Sequence, residues 1–122
     1  MRYALLLRGD EQAWDAMSPE AQKQAVADYM AFNAELAASK VLAGGAELQP
    51  SHTATILRGR DGAIQVTDGP YAESREQIGG FYILEVESLD EALAWAQRCP
   101  AVWGGSIEIR PLGTEPTELQ GS

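Results

Sequence analysis

The 122-residue sequence holds a single cysteine, Cys99, and a single histidine, His52. One cysteine excludes an intramolecular disulfide and any four-cysteine zinc site within one chain. One histidine obliges any His-based proton transfer in a subunit to run through His52, at the entrance of an extended segment after Pro50-Ser51. One His with scattered carboxylates also gives no tight ligand spacing for zinc, leaving only an oxygen-ligand Mg²⁺ or Ca²⁺ site open; the sequence predicts no metal and no cofactor. Basic side chains are scarce: 9 against 18 acidic gives 9 − 18 = −9. That balance opposes direct binding to nucleic acid or an anionic membrane, since affinity for phosphate comes largely from Lys and Arg releasing counterions. Long apolar runs are lacking too. Tyr3-Ala4-Leu5-Leu6-Leu7 is cut by Arg8, which makes it too short for a signal-peptide core or a bilayer span. The default compartment is the cytoplasm.

What is present is a globular composition, 45% apolar and 22% charged, in a length that fits one domain. Residues 2–8 are short, aliphatic and closed by Gly9-Asp10, the pattern of a buried strand. Ser18-Pro19 supplies a helix start, and Ala25, Tyr29, Phe32 and Leu36 recur at helical spacing with Val26 and Met30 beside them; Gly44-Gly45 ends this segment. Thr53, Thr55 and Leu57 alternate with Ala54 and Ile56 up to Asp61-Gly62, a hairpin turn, after which Ile64 and Val66 resume the alternation. A loop from Asp68 to Ile78 leads to an aromatic central strand, Gly80 to Val86. Ser88-Leu89-Asp90-Glu91 reads as a capping box that starts a second helix with Leu89, Ala92, Leu93 and Ala96 on its buried stripe. Pro100 ends that helix, and Ser106 to Arg110 form a last alternating strand.

This order predicts an α+β fold, a ferredoxin-like split βαβ unit with an added hairpin strand and both helices on one sheet face. The first strand and the Phe81 strand are apolar on both faces, so the second face needs a cover that so short a chain has no layer to provide. A homodimer packed sheet on sheet is the economical answer. Residues 113–122 read as a polar tail, either mobile or an arm on the partner.

The stretch Asp68-Gly69-Pro70-Tyr71-Ala72-Glu73-Ser74-Arg75-Glu76, with Gly79-Gly80 and the aromatic strand after it, closely resembles the DGPFAETKE-like signature of YCII-related proteins of the DGPF type. The resemblance includes the Gly44-Gly45-Ala46-Glu47-Leu48 turn, the Thr-rich hairpin, Ser88 to Ala92, Arg98-Cys99-Pro100 and Glu108 to Pro111, and so spans residues 1–112. Tyr71 stands where phenylalanine is usual and Arg75 where lysine is usual; arginine adds two-pronged recognition of an oxyanion. The resemblance implies a ferredoxin-like unit that pairs into a dimeric α+β barrel. It implies little about activity. Superfamily members thought to do acid-base chemistry in a cleft between sheet and helix use a histidine at the start of the first helix and an aspartate around the end of the second. Here those stretches read Pro19 to Gln24 and Arg98-Cys99-Pro100, so that pair is not carried over. Genes of the DGPF type often lie beside genes for extracytoplasmic-function sigma factors, which implies a regulatory role through a protein partner or ligand.

Asp68, Tyr71, Glu73, Arg75 and Trp103 are the candidate ligand-binding residues. Arg75 would hold an anionic ligand while Asp68 or Glu73 takes or gives a proton. A purely structural role stands beside this: Asp68 bonds its own turn, Tyr71 plugs the core, and Glu73 or Glu76 pairs with Arg75. The weak catalytic candidates are Asp68, Glu73 and His52. Cys99 reads as a small buried hydrophobe, and Trp14 and Trp103 as core, interface or pocket side chains. The sequence therefore predicts a small-molecule-binding homodimer, with a cofactor-independent lyase or isomerase as the alternative.

Overall fold

The computed structural model describes residues 1–69 and 76–113; the chain runs β1 (Arg2–Gly9), α1 (Glu11–Asp15), α2 (Pro19–Ala38), β2 (Leu42–Glu47), a 3-10 turn (Ser51–Thr53), β3 (Thr55–Arg60), β4 (Ala63–Asp68), β5 (Gln77–Glu85), α3 (Leu89–Ala96), α4 (Ala101–Gly104) and β6 (Gly105–Pro111). The expected tail lies almost wholly outside these residues, as do Tyr71, Glu73 and Arg75. Four strands form an antiparallel sheet in the order β2-β5-β1-β6, which is the ferredoxin-like arrangement. The pair β3-β4 is a separate two-stranded sheet inserted between the second and third strands of that unit.

Register assigns the two sheet faces. Tyr3 lies opposite Leu84 and Leu5 opposite both Tyr82 and Ile109, so these side chains share one face. Against it pack Phe32 and Leu36 of α2 and Ala92 and Ala96 of α3, with Val41, Val86 and Cys99 completing the core. Leu5, Leu36, Leu84 and Cys99 are fully buried, each aliphatic side chain contributing about 1.5–3 kcal/mol by leaving water. On the opposite face, Ala4 lies across from Ile83 and Leu6 across from Phe81, and none of the four joins the core cluster. Charged pairs border this apolar strip: Arg2 with Glu85 at 3.1 Å, Arg8 with Glu108 at 3.2 Å, and Arg110 with Glu108.

The start signals act as the sequence predicts. The Ser18 hydroxyl accepts from the Ala21 N–H at 3.1 Å, and Asp61 and Gly62 both take positive φ, 53° and 76°, in the hairpin turn. Several boundaries differ. α2 stops at Ala38, and Gly44-Gly45 lie inside strand β2 rather than in a turn. A Cβ at Gly45 would stand 2.6 Å from the Phe81 carbonyl oxygen, so glycine here is what allows an edge strand to approach β5. β5 starts at Gln77, inside the expected loop, and residues 11–15 of the expected connection form α1. Val26, Met30, Leu89 and Leu93 are exposed; the helices bury narrower stripes than their apolar content allows. Half of the expected capping box forms: Ser88 Oγ accepts from the Glu91 N–H, while the Glu91 carboxylate accepts from the Glu87 N–H.

Candidate functional site

Two regions bring polar chemistry together. The first lies between the middle of α2 and the β2-β5 edge. Tyr82 projects from β5 toward the helices; its ring meets Phe32 edge-on at 5.5 Å between centroids, and its hydroxyl donates to Asn33 Oδ1. Tyr29, one turn before Asn33, is half-buried on the same side of α2. Burial pushes its phenol up to about 12, with the Cys99 thiol, Tyr82 and the Glu47 carboxylate adding to the effect. Burial, and then Cys99, push Tyr82 to about 12 as well. Both phenols therefore stay neutral O–H groups across the physiological range. Glu47 lies opposite Gly80, and Gly45 opposite Tyr82, so glycines remove side chains from the sheet on two sides of Tyr82. α2 buries Phe32 and Leu36 completely but leaves Ala25 and Tyr29 only partly covered. Its first half thus borders phenol, amide and carboxylate groups that are only partly buried.

His52, Asp68 and Trp103, the described residues among those singled out from the sequence, belong to a second region, the end of the sheet where β1 finishes and β5 and β6 begin. Gly9 pairs with both Gln77 and Gly105 there. Glu11 accepts from the Ser51 N–H and from the Ser51 hydroxyl, each at 2.8 Å, fastening the 3-10 turn to α1. The Gln22 side-chain amide donates to the Trp14 carbonyl at 2.9 Å and ties α1 to α2. His52 sits exposed on that turn. Asp68 ends β4 opposite Thr55, and the following Gly69 N–H donates to the Ala54 carbonyl at 2.8 Å. The Ser106 hydroxyl donates to Glu76 at 3.0 Å. Trp103, on α4, is 89% exposed and packs in no core.

Sequence reasoning missed Tyr29, Asn33, Glu47 and Tyr82 as a group. Tyr29 and Tyr82 were legible only as members of apolar stripes, and nothing local shows that residues 49 positions apart share a hydrogen bond. Cys99 is buried as expected, and burial pushes its thiol up against a smaller opposing effect of the Ala101 backbone N–H. No cluster of three His, Cys, Asp or Glu able to hold a metal occurs among the described residues. No helix among them is long and apolar enough to cross a membrane.

Comparison with known proteins agrees with this architecture. The YCII-related domain model matches residues 1–114. An uncharacterized protein of Rhizobium meliloti (strain 1021) is 38% identical over 124 residues, spanning 98% of each chain. Among solved structures, 5-chloro-2-hydroxyhydroquinone dehydrochlorinase of Burkholderia phenoliruptrix, in complex with 2,5-dihydroxybenzoquinone, superimposes with a TM-score of 0.57 at 14% identity, covering 96% of this chain and 98% of that one. At that identity the likeness is one of fold.

Proposed function

The chain belongs to the YCII-related domain family, and from that premise we propose that it binds a small oxygen-bearing organic molecule between α2 and the β2-β5 edge. The observation that carries this reading is the gathering of Tyr29, Asn33, Tyr82 and Glu47 at a partly exposed margin. The Tyr29 hydroxyl and the Asn33 amide can donate to a carbonyl or hydroxyl oxygen, and Glu47 can accept from a ligand hydroxyl. The fold neighbour supports it, since that protein's complex holds a small hydroxylated quinone. Asp68, Tyr71, Glu73, Arg75 and Trp103 remain the alternative lining, with Arg75 the side chain suited to an anionic ligand. The Asp68 to Glu76 sequence supports membership of the DGPF type. The working unit is a cytoplasmic homodimer, a dimeric α+β barrel joined through the sheet face of Ala4, Leu6, Phe81 and Ile83, whose apolar centre and charged border match interface anatomy.

A regulatory role linked to a sigma factor is a second reading, and the net charge of −9 directs it through ligand or protein rather than DNA. Catalysis as a lyase or isomerase needs a proton carrier near neutrality. The two phenols, at about 12, do not supply one, which leaves Asp68, Glu73 or His52. A thermal-shift screen of hydroxylated and oxo aromatic compounds, 2,5-dihydroxybenzoquinone among them, tests the binding function. The proposal expects at least one compound to raise Tm in the wild type and to raise it less in Tyr82→Phe. A panel without effect at millimolar concentration contradicts it.

A further inference from the structure

Glu47 is a carboxylate on the helix-facing side of the sheet with nothing to neutralise it. In the β2-β5 ladder Gly45 lies opposite Tyr82 and Glu47 opposite Gly80, so Glu47 shares a sheet face with Tyr82, the face on which α2 packs. Among the described residues its side chain makes no ion pair and no hydrogen bond, and the half-buried Tyr29 hydroxyl makes no hydrogen bond either. The two groups are nevertheless neighbours, since the Glu47 charge helps to hold the proton on Tyr29. Every group that acts on the two phenols holds their protons on, and none of these groups is a cation. The basic side chains of the flanking elements are directed elsewhere. Arg98 is bound to Glu35 and stands over the Trp95 ring, 4.7 Å from its centroid. Lys40 precedes β2, at the opposite end of that strand from Glu47, and Lys23 lies about 120° around α2 from Tyr29.

We propose that Glu47 makes this site select uncharged ligands: a hydroxyl-bearing ring compound whose oxygen accepts from the Tyr29 hydroxyl and whose own hydroxyl donates to the Glu47 carboxylate, with carboxylate-bearing compounds turned away. This rests on the binding reading above. An ionised ligand hydroxyl offers Glu47 no proton and sets a second negative charge beside it. An inward charge on an edge strand also deters addition of a further strand, but that role makes no distinction among small ligands.

Calorimetric titration of the full chain with 1,4-dihydroxybenzene, 2,5-dihydroxybenzamide and 2,5-dihydroxybenzoate tests the selection, because the last two differ in charge and little in shape. We expect the amide to bind at least about tenfold more tightly than the carboxylate in the wild type. That gap should narrow to about threefold or less in Glu47→Gln, but not in Asp61→Asn, which removes one charge at the hairpin turn and so reports the effect of net charge alone. 2,5-Dihydroxybenzoquinone sheds its hydroxyl protons readily and belongs with the anions; it should bind more weakly than 1,4-dihydroxybenzene while staying in the millimolar range. Binding by none of these compounds removes the binding reading itself. A carboxylate that binds the wild type as tightly as the amide overturns the selection alone, as does a gap that survives Glu47→Gln or closes equally in Asp61→Asn. Should Glu47→Gln misfold, salt decides in the unaltered protein: raising ionic strength from about 0.02 M to about 0.5 M should shrink the gap, and a gap indifferent to salt overturns the proposal.

Discussion

Tyr82 on β5 and Asn33 on α2 are joined by the phenol proton, which is donated to Asn33 Oδ1 across 49 positions of sequence. The bond joins the Tyr82 ring, held edge-on against Phe32, to α2, and the Asn33 amide N–H groups and the lone pairs of the phenol oxygen keep further hydrogen-bonding capacity. Tyr82→Phe keeps the ring contact and removes the hydroxyl. It should lower stability by only about 1 kcal/mol, because the site is open enough for water to serve Asn33. Ligand affinity should fall about tenfold in calorimetric titration.

The two phenols also predict alkaline behaviour. An unfolded tyrosine loses its proton near 10.0, whereas Tyr29 and Tyr82 hold theirs to about 12. Between those values the folded state binds more protons than the unfolded one, so their contribution is complete below pH 10 and is lost as pH rises toward 12. Denaturant midpoints should fall through this window, less steeply in Tyr82→Phe, while tyrosinate absorbance shows a late-ionising group.

Glu11 holds Ser51 through both carboxylate oxygens. Glu11→Ala should cost about 1–3 kcal/mol, since a partly buried N–H and hydroxyl lose their partner together. A double-mutant cycle with Ser51→Ala, read by denaturant unfolding, should show coupling from the hydroxyl bond, and Glu11→Ala should cost more than Ser51→Ala, which keeps the Ser51 N–H bond to Glu11.

Gly45 is committed to its position by contact and conformation together: φ is +152° and the Phe81 carbonyl lies 2.6 Å from where a Cβ would be. Gly45→Ala should destabilise by about 2 kcal/mol or more and loosen β2 first. Amide exchange at the β2-β5 ladder should register this before exchange at β1-β6 does.

The sheet of β1, β5 and β6, the cap at Ser18 and the turn at Asp61-Gly62 were legible because each signal is local: alternation, a capping hydroxyl, a pair of residues tolerant of positive φ. β2 was not. Leu42–Glu47 contains two glycines and little β-branched character, and its strand geometry comes from Phe81 and Tyr82 lying alongside, a tertiary effect that overrides propensity. The hairpin's separation from the main sheet was equally silent, since an alternating ribbon reads the same whether or not a sheet accepts it. At the candidate site, the sequence marked Asp68, His52 and Trp103 near the sheet end but gave no sign that Tyr29, Asn33, Glu47 and Tyr82 gather elsewhere.

Amide chemical-shift mapping during titration with 2,5-dihydroxybenzoquinone addresses the central claim most directly. The account predicts saturable shifts at Tyr29, Asn33, Gly45, Glu47 and Tyr82, with hairpin Thr55 to Asp68 undisturbed, and saturation at about tenfold higher ligand concentration in Tyr82→Phe. Shifts confined to Asp68, Trp103 and the sheet end, or none at millimolar ligand, would contradict it.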